Sequence, residues 1–161
     1  MAFDAYLDLD GIDGESTRKG FEKKIELLSF NMGAHNASSM ASGGGGGSGR
    51  ASLSPFSITK LSDAASPLIF ESCCSGKHFP KATITLHKAG GEAAVDYLVY
   101  TFEEVFIQSY DCSGAAHGED RPMEQISFAY GRVEVTFTPQ EKTGAKGSPV
   151  VGSWDQLAVS R

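Results

Sequence analysis

KATITLHKAGGEAAVDYLVYTFEEVFIQSY, residues 81–110, carries one apolar alternation before a glycine pair and a second after it. Ala82, Ile84 and Leu86 recur at every second residue, as Val95, Tyr97 and Val99 do beyond AGGE. A period of two rich in β-branched and aromatic residues marks a half-buried strand. Two such runs about a glycine turn predict a β-hairpin. The second arm is long, and its segment YTFEEVFI imitates a helix while continuing the strand pattern.

Just upstream, SPLIFESCCSG (66–76) reads as a short helix: Ser66 suits the cap, Pro67 the first turn and Gly76 the position past the end. Its size predicts a lid or plug. Downstream, EQISFAYGRVEVTFTP (124–139) alternates at Ile126, Phe128 and Tyr130, then shifts at Gly131 to Val133, Val135 and Phe137, which predicts a bulge at the glycine. Further strands are expected at Phe3, Ala5, Leu7 and Leu9 and at Phe56 and Ile58. KKIELLSFNMG (23–33) shifts parity near Leu27, where a second bulge or bend is expected. Leu28, Phe30 and Met32 then face the core, and Ser29, Asn31 and Gly33 face the other way. Six or seven strands, several longer than average, with two bulges and one short helix suit a curved sheet, and bulges with glycine kinks favour a small closed β-barrel over a sandwich.

The 161 residues fit one domain, 1–161, and 40% apolar with 21% charged residues describes a globular chain. A net charge of −6 without a Lys/Arg cluster argues against nucleic acid and against an anionic membrane surface. Acids at Asp4, Asp8 and Asp10 leave no room for a secretory signal, and no apolar run approaches the roughly 20 residues that span a bilayer. Three cysteines, with Cys73 and Cys74 adjacent, suggest no disulfide framework, so synthesis and folding in a reducing cytoplasm are expected.

ASGGGGGSGRAS (41–52) matches two phosphate-loop spacings by accident of its glycines. It lacks a preceding strand and a following helix, and Arg50 and Ala51 replace the lysine and hydroxyl residue of the nucleotide-binding loop. A linker is disfavoured, because only 40 residues precede it. Cys73, Cys74 and His78 are the parts of a thiol nucleophile with its base, but they lie at the helix end that does not activate a thiol. His35, His78, His87 and His117 are too scattered for a zinc site, and Glu119, Asp120 and Arg121 of GEDRP read as a solvated turn. No catalytic, cofactor or metal residue is assigned.

CSGKHFPKATITLHKAGGEAAVDYLVYTFEEVFIQS (74–109) closely resembles the haemolysin-coregulated protein (Hcp) family, the tube subunits of type VI secretion systems. FDAYLDLDGIDGES, IELLSFNMG, the glycine-rich loop before FSITK, GEDRP and FAYGRVEVTFTPQ extend the resemblance over nearly the whole chain. It implies a small, tail-tube-like barrel with one helix, assembled as a homohexamer whose rings stack into a hollow tube. The tube lies within a contractile sheath, carries a spike trimer at its tip, and holds effector proteins in its lumen, exported without a signal peptide. The resemblance makes the glycine-rich loop, Ser42, Gly43, Gly44, Gly45, Gly46, Gly47, Ser48, Gly49 and Arg50, an extended ring-stacking arm. It also places Ser29, Asn31 and Gly33 at the lumen. Exposed strand edges are well used in such a ring, where they pair with another subunit. A contractile-phage tail tube, a Cys/His hydrolase and a ligand-binding barrel remain as other readings, separable by native mass, by iodoacetamide sensitivity and by a retained small molecule.

Overall fold

The N-terminal alternation builds β1 (Phe3–Leu9), burying Ala5, Leu7 and Leu9 and leaving Phe3 half-exposed. The computed structural model, which describes residues 3–37, 49–88, 95–118 and 120–161, continues with β2 (Ile25–Leu27), β3 (Ser29–Asn31), β4 (Ala34–Asn36), β5 (Ala51–Leu53) and β6 (Phe56–Leu61). The helix α1 (Ser66–Ser75) follows, then β7 (His78–Lys88), β8 (Asp96–Ser113), β9 (Met123–Ala129), β10 (Arg132–Phe137) and β11 (Val150–Asp155). The chain is mainly β with one short helix.

Nine strands form one antiparallel sheet in the order β2-β1-β7-β8-β9-β6-β3, with β10 against β8 and β11 against β10. The ends of that path are neighbours in sequence, because Leu28 alone separates β2 from β3. Phe3 on β1 meets Phe30 on β3 with ring centroids 6.4 Å apart, and Phe56 on β6 stacks on Phe102 of β8 at 4.0 Å. The sheet is therefore rolled around one core.

The expected closed barrel is corrected: the described ladders form an open path. At Leu28, whose N–H donates to the Thr59 carbonyl at 2.8 Å, the chain leaves β1 for β6, and neither three-residue piece reaches both partners. The bend also turns Leu28 outward, 55% exposed, where core parity had been expected; Phe30 and Met32 do pack against the core.

β7 and β8 form the expected hairpin, with Ala82 opposite Phe102, Ile84 opposite Tyr100 and Leu86 opposite Leu98; the AGGE turn lies outside the described residues. Directly opposed residues share a face. The core face of the second arm is thus Leu98, Tyr100 and Phe102, which puts Val99 on the other face; Val95, buried, and Tyr97, packed against the core, keep their expected side because the register shifts between Leu86 and His87. Parity changes again at Glu104, whose φ of 56° is left-handed, so that Val105 and Ile107 become the buried pair. Gly131 lies across from this kink and donates its N–H to the carbonyls of Glu103 and Glu104 at 3.0 and 3.2 Å. A Cβ at Gly131 would stand 3.1 Å from that of Glu104, which explains the glycine at the expected bulge.

In α1, Pro67 and Gly76 hold the expected places, but Ser66 is no cap: Ala65 is, without a side-chain bond. Gly76 closes the helix at φ 68°, donating its N–H to the Ser72 carbonyl. A Cβ there meets no obstacle, so Gly76→Ala carries backbone strain alone. We expect it to lower stability by roughly 1–2 kcal/mol, measured by urea unfolding at fixed protein concentration.

Candidate functional site

Period-two alternation gives β6 and β9 two unlike faces. Their paired residues Phe56–Phe128, Ile58–Ile126 and Lys60–Glu124 point inward and are buried, whereas Ser57–Ser127 and Thr59–Gln125 point outward. The neighbouring strands extend the outer face in register. Asn31, Ser57, Ser127 and Ser109 form one row across β3, β6, β9 and β8. Ser29, Thr59, Gln125 and Asp111 form the row beside it. Within the first row the Ser57 and Ser127 hydroxyls hydrogen-bond at 3.1 Å. These eight side chains line a shallow groove of about 470 Å³, floored in part by Phe30 and Ile58. Of the residues expected at the lumen, the fold brings Ser29 and Asn31 into this groove. Gly33 lies beyond the end of β3, where its carbonyl accepts the Ser54 N–H at 2.9 Å.

Beneath the groove sits a buried ion pair. Lys60 and Glu124, both wholly buried, meet at 3.0 Å, and Lys60 also reaches Asp63 at 2.9 Å, the Ser66 hydroxyl at 3.0 Å and the Leu61 carbonyl at 3.0 Å. Glu124 accepts hydrogen bonds from Ser62 at 2.6 Å and Ser66 at 2.7 Å. Burial opposes the charge of Glu124 most strongly, but the bonds from Ser62, Ser66 and Lys60 and the lysine's charge outweigh it and hold the carboxyl below its ordinary range. This network ties the start of α1 to β6 and β9, and it employs the hydroxyl that had been expected to cap the helix.

The second expected site is the arm. Ser42, Gly43, Gly44, Gly45, Gly46, Gly47 and Ser48 lie outside the described residues; Gly49 and Arg50 form the arm's root. There β4 and β5 make a separate two-stranded ribbon. A Cβ on Gly49 would fall 2.5 Å from the Ala37 carbonyl oxygen, so the root closes only with glycine at that place. Arg50 lines a recess with Asn36, Trp154 and Val159.

Of the thiol candidates, Cys73 is half-buried while Cys74 and Cys112 are exposed, and all three are free. His78 packs on the Phe106 ring at 5.4 Å, and His87 bonds Asp96 at 2.7 Å. His35 and His117 are exposed, as are Asp120 and Arg121 of GEDRP; Glu119 lies outside the described residues. Among the described residues no three His, Cys, Asp or Glu side chains are grouped to hold a metal ion, and no helix is long and apolar enough to cross a membrane.

The family described as type VI secretion system effector, Hcp, matches residues 6–137. The chain belongs to the Hcp family. Protein hcp1 of Pseudomonas aeruginosa is 38% identical over 156 residues, covering 96% of each chain. The solved structure of a type six secretion system protein superimposes with a TM-score of 0.93 at 37% identity, covering 99% of both chains. Hcp1 from Salmonella typhimurium gives 0.83 at 31% identity, again over 99% of both. As an Hcp protein, the chain is a structural, secreted tube subunit of a type VI secretion system.

Proposed function

We propose that the chain, folded as one domain, assembles as a homohexameric ring, that rings stack into a tube, and that the groove of β3, β6, β9 and β8 faces the lumen and holds effector proteins. The observation that carries this reading is the pair of four-strand rows, seven of whose eight side chains are uncharged hydroxyls or amides. Such a wall is wet and adaptable. It holds varied proteins through weak contacts multiplied around the ring. The outer edge of β11, which pairs with no second strand among the described residues and exposes Val150 and Val151, supplies apolar surface for subunit contacts. The β4–β5 ribbon and the loop Ser42–Arg50 make the ring-stacking contacts. The tube is made in the bacterial cytoplasm, runs inside a contractile sheath behind a spike trimer, and leaves by type VI secretion.

Asn31 stands exposed in the first row, so enlarging it changes the wall and not the core. Asn31→Gln should leave native mass and melting unchanged and reduce recovery of an effector in a pull-down with matched rings. Because one contact is worth about 1 kcal/mol or less and recurs in each subunit, a loss of severalfold or more is expected. Equal recovery from both rings, or collapse of the variant to monomers, would remove Asn31 from the lumen.

A further inference from the structure

Asp111 is the one formal charge among the eight side chains of the two rows, and it ends the row that begins at Ser29. It is exposed and directly opposite the neutral Gln125. It belongs to none of the ion pairs formed by the described residues, although Asp4, Asp8, Asp63 and Asp96 all do. No cation among the described residues thus stands at ion-pair distance from it, and the surrounding hydroxyls and amides favour neither sign. We infer that Asp111 sets the charge preference of the carried proteins: repeated once per subunit, it makes a ring of carboxylates that selects cargo presenting lysines or arginines to the wall. This rests on the groove facing the lumen. An exposed ion pair changes affinity by about 1.4- to 5-fold per contact, and several contacts around a ring compound that factor.

The test uses full-length rings of matched native mass and two versions of one small globular protein, one lysine-rich and one glutamate-rich, as probes. Wild-type rings should retain the lysine-rich probe more strongly, with retention falling as salt rises. Asp111→Asn should erase the preference, and Asp111→Lys should reverse it. If Asp111→Lys does not form rings, Asp111→Asn decides, since it keeps the side chain's shape. Equal retention of both probes by wild-type rings, or a preference unchanged in Asp111→Asn, would overturn the inference, as would failure of wild-type rings to retain either probe. The lumen reading is judged separately by Asn31→Gln: if that variant loses both probes alike while Asp111→Asn alters neither, the groove is the lumen wall and Asp111 does not select.

Discussion

Lys60→Met should lower stability by about 3–5 kcal/mol, the cost of leaving one member of a buried ion pair without its partner. The stranded groups are Glu124, wholly buried, and Asp63, nearly so, which face each other across Ser66. At roughly 2–4 °C per kcal/mol for a chain of this size, the melting temperature should fall by about 6–20 °C, read at fixed protein concentration so that assembly does not confound it. The double variant Lys60→Met/Glu124→Met should recover part of the loss, because it removes the wholly buried carboxylate and leaves only Asp63, which keeps its hydrogen bonds from Ala65 and Ser66. A double variant no more stable than the single would show that the pair is not the source of the effect. Acid gives an independent readout. A carboxyl held below its unfolded range contributes stability that is fully present above that range and disappears as the pH falls through its folded value. The parent protein should therefore weaken below about pH 5, and Glu124→Gln, already lacking the charge, should show a flatter acid limb.

Phe56→Ala should be comparably damaging for an apolar reason. Phe56 is 1% exposed and lies stacked between Phe102 at 4.0 Å and Phe128 at 4.4 Å, two rings from different strands of the rolled sheet. Truncation leaves a cavity between rigid aromatic neighbours and should cost about 3–5 kcal/mol, while Phe56→Leu, which refills much of the volume, should cost under about 2 kcal/mol. Phe70 offers the contrast: it is 53% exposed and meets Tyr110 in a T-shaped contact, so Phe70→Ala should cost less than about 1 kcal/mol. Equal losses at Phe56 and Phe70 in calorimetry would refute this account of the core.

These two sites also show what a linear reading captures. The hairpin, the helix between Pro67 and Gly76, and the breaks near Leu27 and at Gly131 rest on local signals, and the structure has all of them. The Lys60–Glu124 pair left a usable trace too: lysine follows Phe56 and Ile58 at core parity, and glutamate precedes Ile126 and Phe128 at core parity. Two opposite charges each placed where the alternation demands an apolar residue predict that they are buried together. Other features left no such trace. β11 reads Val-Val-Gly-Ser-Trp-Asp, without alternation, and exists because β10 offers it a ladder. Leu28 is exposed because the chain changes partners there. The rows of the groove depend on register across four strands, which alternation along one strand does not contain. Parity told which way Ser29 and Asn31 point, but not that Ser57, Ser109 and Ser127 stand beside Asn31.

β8 has one further consequence, a mechanical one. Its 18 residues, about 60 Å of extended chain, pair with β7 along one edge and with both β9 and β10 along the other. A tension that peels β9 away meets the continuous β8 at Glu104, where the peel must pass a kink and begin again on β10. Traction along β8 loads the ladders on both of its edges in shear, many bonds at once, instead of opening them singly. A tube subunit thus has, running through its middle, a strand that behaves as a tie rod.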